Sequence, residues 1–178
     1  MENTPLSKIE SIVARQKEFF PQGATRDLTF RKDSLRRLYG AIKEWEPAIE
    51  EALMTDLHKS GEEGYITETG LVLSEISDHL SHLRHWARTE RKRTPLTLFP
   101  SAGYVVKESL GTVLIISPWN SPVQLLLTPL VGALSAGFTA VLKPSPYVPN
   151  VSRVLQEMIE HTFAQRQVAV VQGNREVN

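Results

Sequence analysis

Residues 112–122 read Thr112-Val113-Leu114-Ile115-Ile116-Ser117-Pro118-Trp119-Asn120-Ser121-Pro122, and residues 139–145 read Thr139-Ala140-Val141-Leu142-Lys143-Pro144-Ser145. Each begins as a β-branched and apolar run and breaks before a proline. Such unalternating runs describe strands buried on both faces, as in a parallel sheet covered by helices. Between them, Val123 to Ala136 is long enough for a helix, and Gly137 suits its end. Beyond them, Val148 to Phe163 reads as a second helix with Asn150 or Ser152 as its N-cap. Val168 to Val171 reads as a third strand. Strand, helix, strand, helix, strand is the first half of a doubly wound, Rossmann-like α/β fold.

The residues before this unit have a different character. The chain of 178 residues carries 20 basic and 20 acidic side chains, most of them ahead of residue 100, whereas residues 109–152 hold one charge, Lys143. In the charged region apolar residues recur at helical spacing. Leu6, Ile9, Ile12 and Val13 form one stripe. Leu35, Leu38, Ile42 and Trp45 form another, continued past Pro47 by Ile49, Leu53 and Leu57. Ser60-Gly61 is expected to end that helix. A third helix is expected from Glu62 to about Arg88, with Ile66, Leu73, Ile76, Leu80 and Leu83 inward. Pro21 to Asp27 reads as a loop, Pro95 and Pro100 bracket a linker, and Tyr104 to Glu108 reads as a short strand. The fold class is therefore α/β, a helical N-terminal region followed by half of a parallel sheet.

Composition closes off several functions. Hydrophobic residues at 41% and charged residues at 22% are ordinary globular usage. Zero net charge gives no general attraction to nucleic acid. No cysteine is present, which excludes disulfides, thiolate metal sites and a cysteine nucleophile within this chain. Met1 to Glu10 lacks a secretory pattern, so a cytoplasmic location is expected. Residues 109–142 are uncharged, but Pro118, Asn120, Pro122, Gln124, Pro129, Gly132 and Gly137 interrupt them. Several short elements are expected there rather than one membrane span.

Chemistry is expected outside the carboxyl ends of the strands. Asn120 is either a turn residue or a neutral amide able to donate to a developing oxyanion. Lys143 either snorkels to water or meets the ribose or phosphate of a nucleotide. Trp119 is either core or the wall of a nicotinamide pocket. Gly132, Ala133, Ala136 and Gly137 would let their helix lie close to the sheet, by ordinary packing or beside a dinucleotide. No G-x-G-x-x-G, Walker or nucleophile-elbow motif occurs. His79, His82 and His85 drift around their helix and read as a solvated flank, so no metal is expected. Arg84, Arg88, Arg91, Lys92 and Arg93, near Trp86, complement a helix C-terminus rather than bind nucleic acid.

Taken together these stretches resemble the aldehyde dehydrogenase superfamily. Pro118-Trp119-Asn120-Ser121-Pro122, Pro129 to Gly137 and Val141 to Ser145 match its P-W-N-x-P, P-x-x-x-A-x-x-x-G and V-x-K-P-S pattern at the family's spacing. Asp56-Leu57-His58-Lys59 and Val106 to Gly111 resemble the class 3-like branch, acting on fatty and aromatic aldehydes. The resemblance implies that Asn120 is the oxyanion-hole asparagine and that Lys143 contacts the adenosine ribose. It implies that Ser117, Pro118, Trp119 and Ser145 line an NAD or NADP cleft. It also implies an oligomerisation strand near Tyr104 to Glu108, and a division into residues 1–95, helical, 96–110, linker and oligomerisation strand, and 111–178, the incomplete cofactor-binding part.

In that family an aldehyde is oxidised through a cysteine thiohemiacetal, hydride transfer to NAD(P) and thioester hydrolysis. Here the cysteine, the catalytic glutamate with its Leu-Gly-Gly, and the Gly-x-Thr/Ser-x-x-Gly phosphate loop are missing. The expectation is an N-terminal part of such an enzyme, inactive alone, from a parent that is a homodimer. The alternative is a non-catalytic binding or oligomerisation module. The family often has a ribose-binding glutamate three residues after the lysine. Pro146 stands there, removing a carboxylate that would repel a 2′-phosphate, so NADP is expected to be tolerated. Ending at Arg175 to Asn178 with no closing helix, the sheet is expected to expose an edge and to self-associate.

Overall fold

A computed structural model describes residues 3–174. Helix α1 (Leu6–Phe19) is followed by two short 3₁₀ turns, Phe20–Gln22 and Ala24–Arg26, where a loop was expected. Helix α2 (Leu28–Leu57) opens on Asp27, whose carboxylate accepts the N–H groups of Thr29 and Phe30, and runs unbroken through Pro47. Helix α3 (Gly61–Gly64) passes through a π turn, Tyr65–Thr69, into helix α4 (Gly70–Trp86). Strands β1 (Glu90–Lys92) and β2 (Gly103–Val105) form an antiparallel ribbon. Strands β3 (Thr112–Ile116), β4 (Thr139–Lys143) and β5 (Val168–Val170) form a parallel sheet in the order β3-β4-β5, joined by helices α5 (Gln124–Ala136) and α6 (Pro149–Thr162). The mixed class and the βαβαβ unit are as the apolar runs required.

The sheet sits between two unequal layers. Val113, Ile115, Ala140, Leu142, Val168 and Val170 face the main core, which α2, α4, α5 and α6 complete with Leu38, Ile42, Leu53, Ile76, Leu130 and Leu155. On the other face Val141, Ala169 and Val171 meet Ile12 of α1, with Ile9 and Val13 alongside. Burying the valine, leucine and isoleucine side chains contributes about 1.5–3 kcal/mol each. Gln16 ties α1 to the sheet by donating to the carbonyls of Ala140 and Gln165 at 2.9 and 3.0 Å.

Several local expectations are corrected. Strand β3 is not buried on both faces: Leu114 and Ile116 are 60% and 54% exposed, because the α1 side chains on that face, Ile9, Ile12 and Val13, cluster on Val141, Ala169 and Val171 instead. Ile66 is 67% exposed rather than inward, because the π turn adds a residue ahead of α4 and shifts the phase of the stripe. Gly70 permits that turn, since a Cβ there would lie 2.6 Å from the carbonyl oxygen of Tyr65. His58, in the left-handed region at φ 56, ends α2; Ser60 instead caps α3, accepting the N–H of Glu63. Neither Asn150 nor Ser152 caps α6. Asp56 supplies the acceptor from α2, taking the Val151 N–H and the Asn150 amide. The strand at Tyr104 to Glu108 is shorter and shifted, Gly103–Val105, and its partner β1 had no period-two signal at three residues long.

Gly132, expected to bring α5 close to the sheet, has open space where a Cβ would stand. It lines a 500 Å³ cavity between α4, α5 and residues 106–109. His79 is not on a solvated flank. Its Nδ1 lies 2.5 Å from Ser135 Oγ of α5, its Nε2 lies 3.2 Å from Glu75, and its ring meets Trp86 edge-on. The C-terminus of α4 has Arg84 and His85 in its last turn, and Lys107 donates to the Trp86 carbonyl at 2.8 Å. Among the described residues no cluster suits a metal ion, and no helix is long and apolar enough to cross a membrane. The tail from Arg175 to Asn178 lies outside the described residues.

Candidate functional site

Parallel pairing brings the two strand mouths together. Ile116 is the register partner of Lys143, and the Ser117 N–H donates to the Lys143 carbonyl at 3.2 Å. Residues 117–122 therefore leave the sheet beside residues 143–145. Ser117, Lys143 and Ser145 are buried, whereas Pro118, Trp119 and Asn120 are exposed. Trp119, at 54% exposure, is not core. The predicted residues thus gather at one end of the sheet.

Lys143 is 4% exposed, and its ammonium makes no hydrogen bond or ion pair with any described residue. Burial pushes its pKa below the ordinary lysine value. The Ser117 hydroxyl is also buried without a partner. Lys143 shares a 270 Å³ cleft with Ile9, Val13, Leu114, Ile116, Val141 and Val171 on the α1 face. A lysine whose ammonium no described residue pairs, standing in an apolar cleft, suits a ligand with an apolar ring and several hydroxyl or phosphate oxygens. A dinucleotide has both. Ser145 is committed to the fold instead. Its Oγ accepts the Tyr147 N–H at 3.3 Å and its carbonyl accepts the Ser152 hydroxyl at 2.8 Å.

The side-chain amide of Asn120 bonds to no other described residue, but its backbone is anchored. The Asn120 carbonyl accepts Lys59 Nζ at 3.1 Å. Lys59 also meets Glu68 Oε1 at 2.5 Å, and Glu68 Oε2 accepts the N–H groups of Val123 and Gln124 at 3.1 and 2.9 Å. A buried carboxylate thus closes the N-terminus of α5, where the helix dipole favours negative charge. Sequence reasoning missed Glu68 entirely and gave Lys59 no role beyond a motif. Their only signal was an acid in the first turns of an apolar-faced helix. Gln172, just past β5, was also unassigned. Its Nε2 donates to Ser152 and Gln156, and its Oε1 is buried and unpaired.

A parallel α/β half with polar groups at its strand mouths belongs to the open α/β class of fold, which takes its ligands at that end of the sheet. The chain belongs to the aldehyde dehydrogenase family, whose model matches residues 2–178. It is 45% identical over 168 residues to the 4,4'-diaponeurosporen-aldehyde dehydrogenase of Staphylococcus aureus, covering 94% of this chain and 37% of that protein. It is 40% identical to the beta-apo-4'-carotenal oxygenase of Neurospora crassa, covering 97% of this chain and 32% of that protein. The solved substrate-bound state of Staphylococcus aureus AldH superposes with a TM-score of 0.93 at 45% identity, over 95% of this chain and 37% of that one. A succinic semialdehyde dehydrogenase from Streptococcus pyogenes, solved with NADP+, has the same fold at a TM-score of 0.85 and 16% identity, over 99% of this chain and 38% of that one. The chain spans about a third of the length of the curated relatives it matches.

Proposed function

We propose that these residues supply the oxyanion donor and the first half of the dinucleotide cleft for NAD(P)-dependent oxidation of aldehydes to carboxylic acids. The observation that carries this reading is that Asn120, with an uncommitted amide, and Lys143, a buried residue whose ammonium no described residue pairs, follow and end neighbouring parallel strands. In this role the Asn120 amide donates to the aldehyde oxygen as negative charge develops on it. Being neutral, it does so without a proton changing hands. Lys143 donates to the hydroxyl oxygens of the adenosine ribose, Ser117, Pro118 and Trp119 shape the cleft wall, and Ser145 contributes by fixing the turn after Lys143 through its bonds to Tyr147 and Ser152. When bound, the nicotinamide supplies hydride acceptance. The attacking thiolate comes from outside these residues, since the chain has no cysteine. Pro146 places no carboxylate near a 2′-phosphate, so NADP is accepted. The relatives named above supply the first substrates to try, 4,4'-diaponeurosporen-aldehyde and beta-apo-4'-carotenal.

The proposal retains the division near residues 95 and 110, with the β1–β2 ribbon serving oligomerisation. The exposure of Leu110, Leu114 and Ile116 supports self-association of the chain.

The test titrates NAD+ and NADP+ into the ¹⁵N-labelled 178-residue chain, and assays aldehyde oxidation by the same purified material. Shifts are expected at residues 117–120 and 143–145, with NADP+ binding at least as well as NAD+, and no turnover. A spectrum that neither nucleotide moves at those residues would sink the cofactor reading. Turnover by the isolated chain would overturn the external origin of the nucleophile.

A further inference from the structure

We propose that Lys59 and Glu68 are positioning residues that hold the Asn120 loop at the amino end of α5, so that the helical N-terminal region sets the orientation of the oxyanion donor. The inference rests on the reading of Asn120 given above, and extends it to two residues that touch no substrate.

The connection is short and complete. Glu68 is fully buried, and both its oxygens are used, one by Lys59 Nζ at 2.5 Å and the other by two backbone N–H groups of the α5 entrance. Lys59 spends a second donor on the Asn120 carbonyl at 3.1 Å. The loop is therefore fastened on both sides of Asn120. Ser117 is bonded to the Lys143 carbonyl ahead of it, and Val123 and Gln124 are bonded to Glu68 behind it. Between these points Lys59 is the only described side chain bonded to the Asn120 backbone. An exposed asparagine would otherwise sample many orientations, and an oxyanion donor acts through pre-set geometry.

The fold builds this contact deliberately. Glu68 lies within the π turn Tyr65–Thr69, a local insertion of the kind often found at functional sites. That turn carries Ile66 outward while Glu68 and Thr69 stay buried. Lys59 stands just past the left-handed His58 that ends α2, where the chain reverses toward α3. Its side chain is 14% exposed, so it reaches inward from the surface rather than forming part of the core.

The experiment uses ¹⁵N relaxation of the whole chain, comparing wild type with Lys59→Met, Lys59→Arg and Glu68→Gln. In wild type, the backbone N–H groups of Trp119, Asn120 and Ser121 are expected to show order parameters near 0.85. Lys59→Met is expected to lower them below about 0.6 and to broaden the Asn120 side-chain amide, while β4 and α6 signals stay in place. Lys59→Arg, which keeps a cationic donor, is expected to restore order. Glu68→Gln is the second variant, expected to loosen the same three residues together with Val123 and Gln124. Unchanged order in Lys59→Met would overturn the proposal. So would a melting temperature lowered in every variant with the loop still ordered, which is the mark of a merely structural pair. The readout needs no nucleotide, so failure of the cofactor reading leaves it intact and separately decided.

Discussion

Asp56, in the last turn of α2, closes the amino terminus of the helix that follows Lys143: its Oδ2 accepts the Val151 N–H at 2.9 Å while its Oδ1 accepts Asn150 Nδ2 at 2.8 Å. Helix α6 has no capping side chain of its own. The N-terminal region thus caps both helices that connect the parallel strands, Asp56 for α6 and Glu68 for α5. Each acid stands at the positive end of a helix dipole, where a carboxylate is favoured.

Replacing Asp56 by Ala is expected to cost about 1–2 kcal/mol, the ordinary loss for a helix cap whose N–H is left without its acceptor. Asp56→Asn keeps an acceptor without the charge and is expected to cost less. Urea titration reads both, with the midpoint falling and the slope unchanged. Equal stability of the Ala variant and wild type would contradict the Asp56 cap.

Lys143 is expected to destabilise the chain when no ligand is bound. Its pKa is lowered by burial, so the unfolded chain binds more protons than the folded one between the depressed value and the ordinary one near 10.5. Stability therefore rises with pH through that window, and the full penalty is present below it. Lys143→Met is expected to flatten this rise. It is also expected to raise the melting temperature near neutral pH, by about 2–4 °C for each kcal/mol relieved. The same variant is expected to lose nucleotide binding. Thermal melts across pH, run beside a nucleotide titration, check both halves.

Two glycines of one helix are expected to respond with opposite sign. At Gly137, φ is +77° and a Cβ would stand 2.5 Å from the Thr25 carbonyl and 2.7 Å from Ser109 Oγ. Gly137→Ala is expected to cost about 3 kcal/mol or more, adding left-handed strain to a clash with backbone. At Gly132 a Cβ meets nothing within 4 Å. Gly132→Ala is expected to gain about 0.5–1 kcal/mol from helix propensity alone. Chemical denaturation of the pair decides the matter.

Much of this molecule was legible from residue order. The runs Thr112 to Ile116 and Thr139 to Leu142 declared parallel strands, Gly137 declared a helix end, and the isolation of Lys143 among uncharged residues marked it as a candidate site residue. These are local properties: periodicity, backbone permissiveness and the cost of a lone buried charge act within a few residues or along one element. The exposure of Leu114 and Ile116 was not legible, because nothing within an unalternating strand marks how far a helix from the distant N-terminus covers its second face.

What residue order determined by itself was the alternation of strands and helices and the identities at the strand mouths. Only the tertiary structure decided which distant acids hold those mouths in place. Glu68 and Asp56 carry no periodic signal, and their partners lie 55 and 95 positions away. A hydrogen bond across such a separation follows from how α2 and the π turn pack against α5 and α6, and that packing is a property of the assembled core.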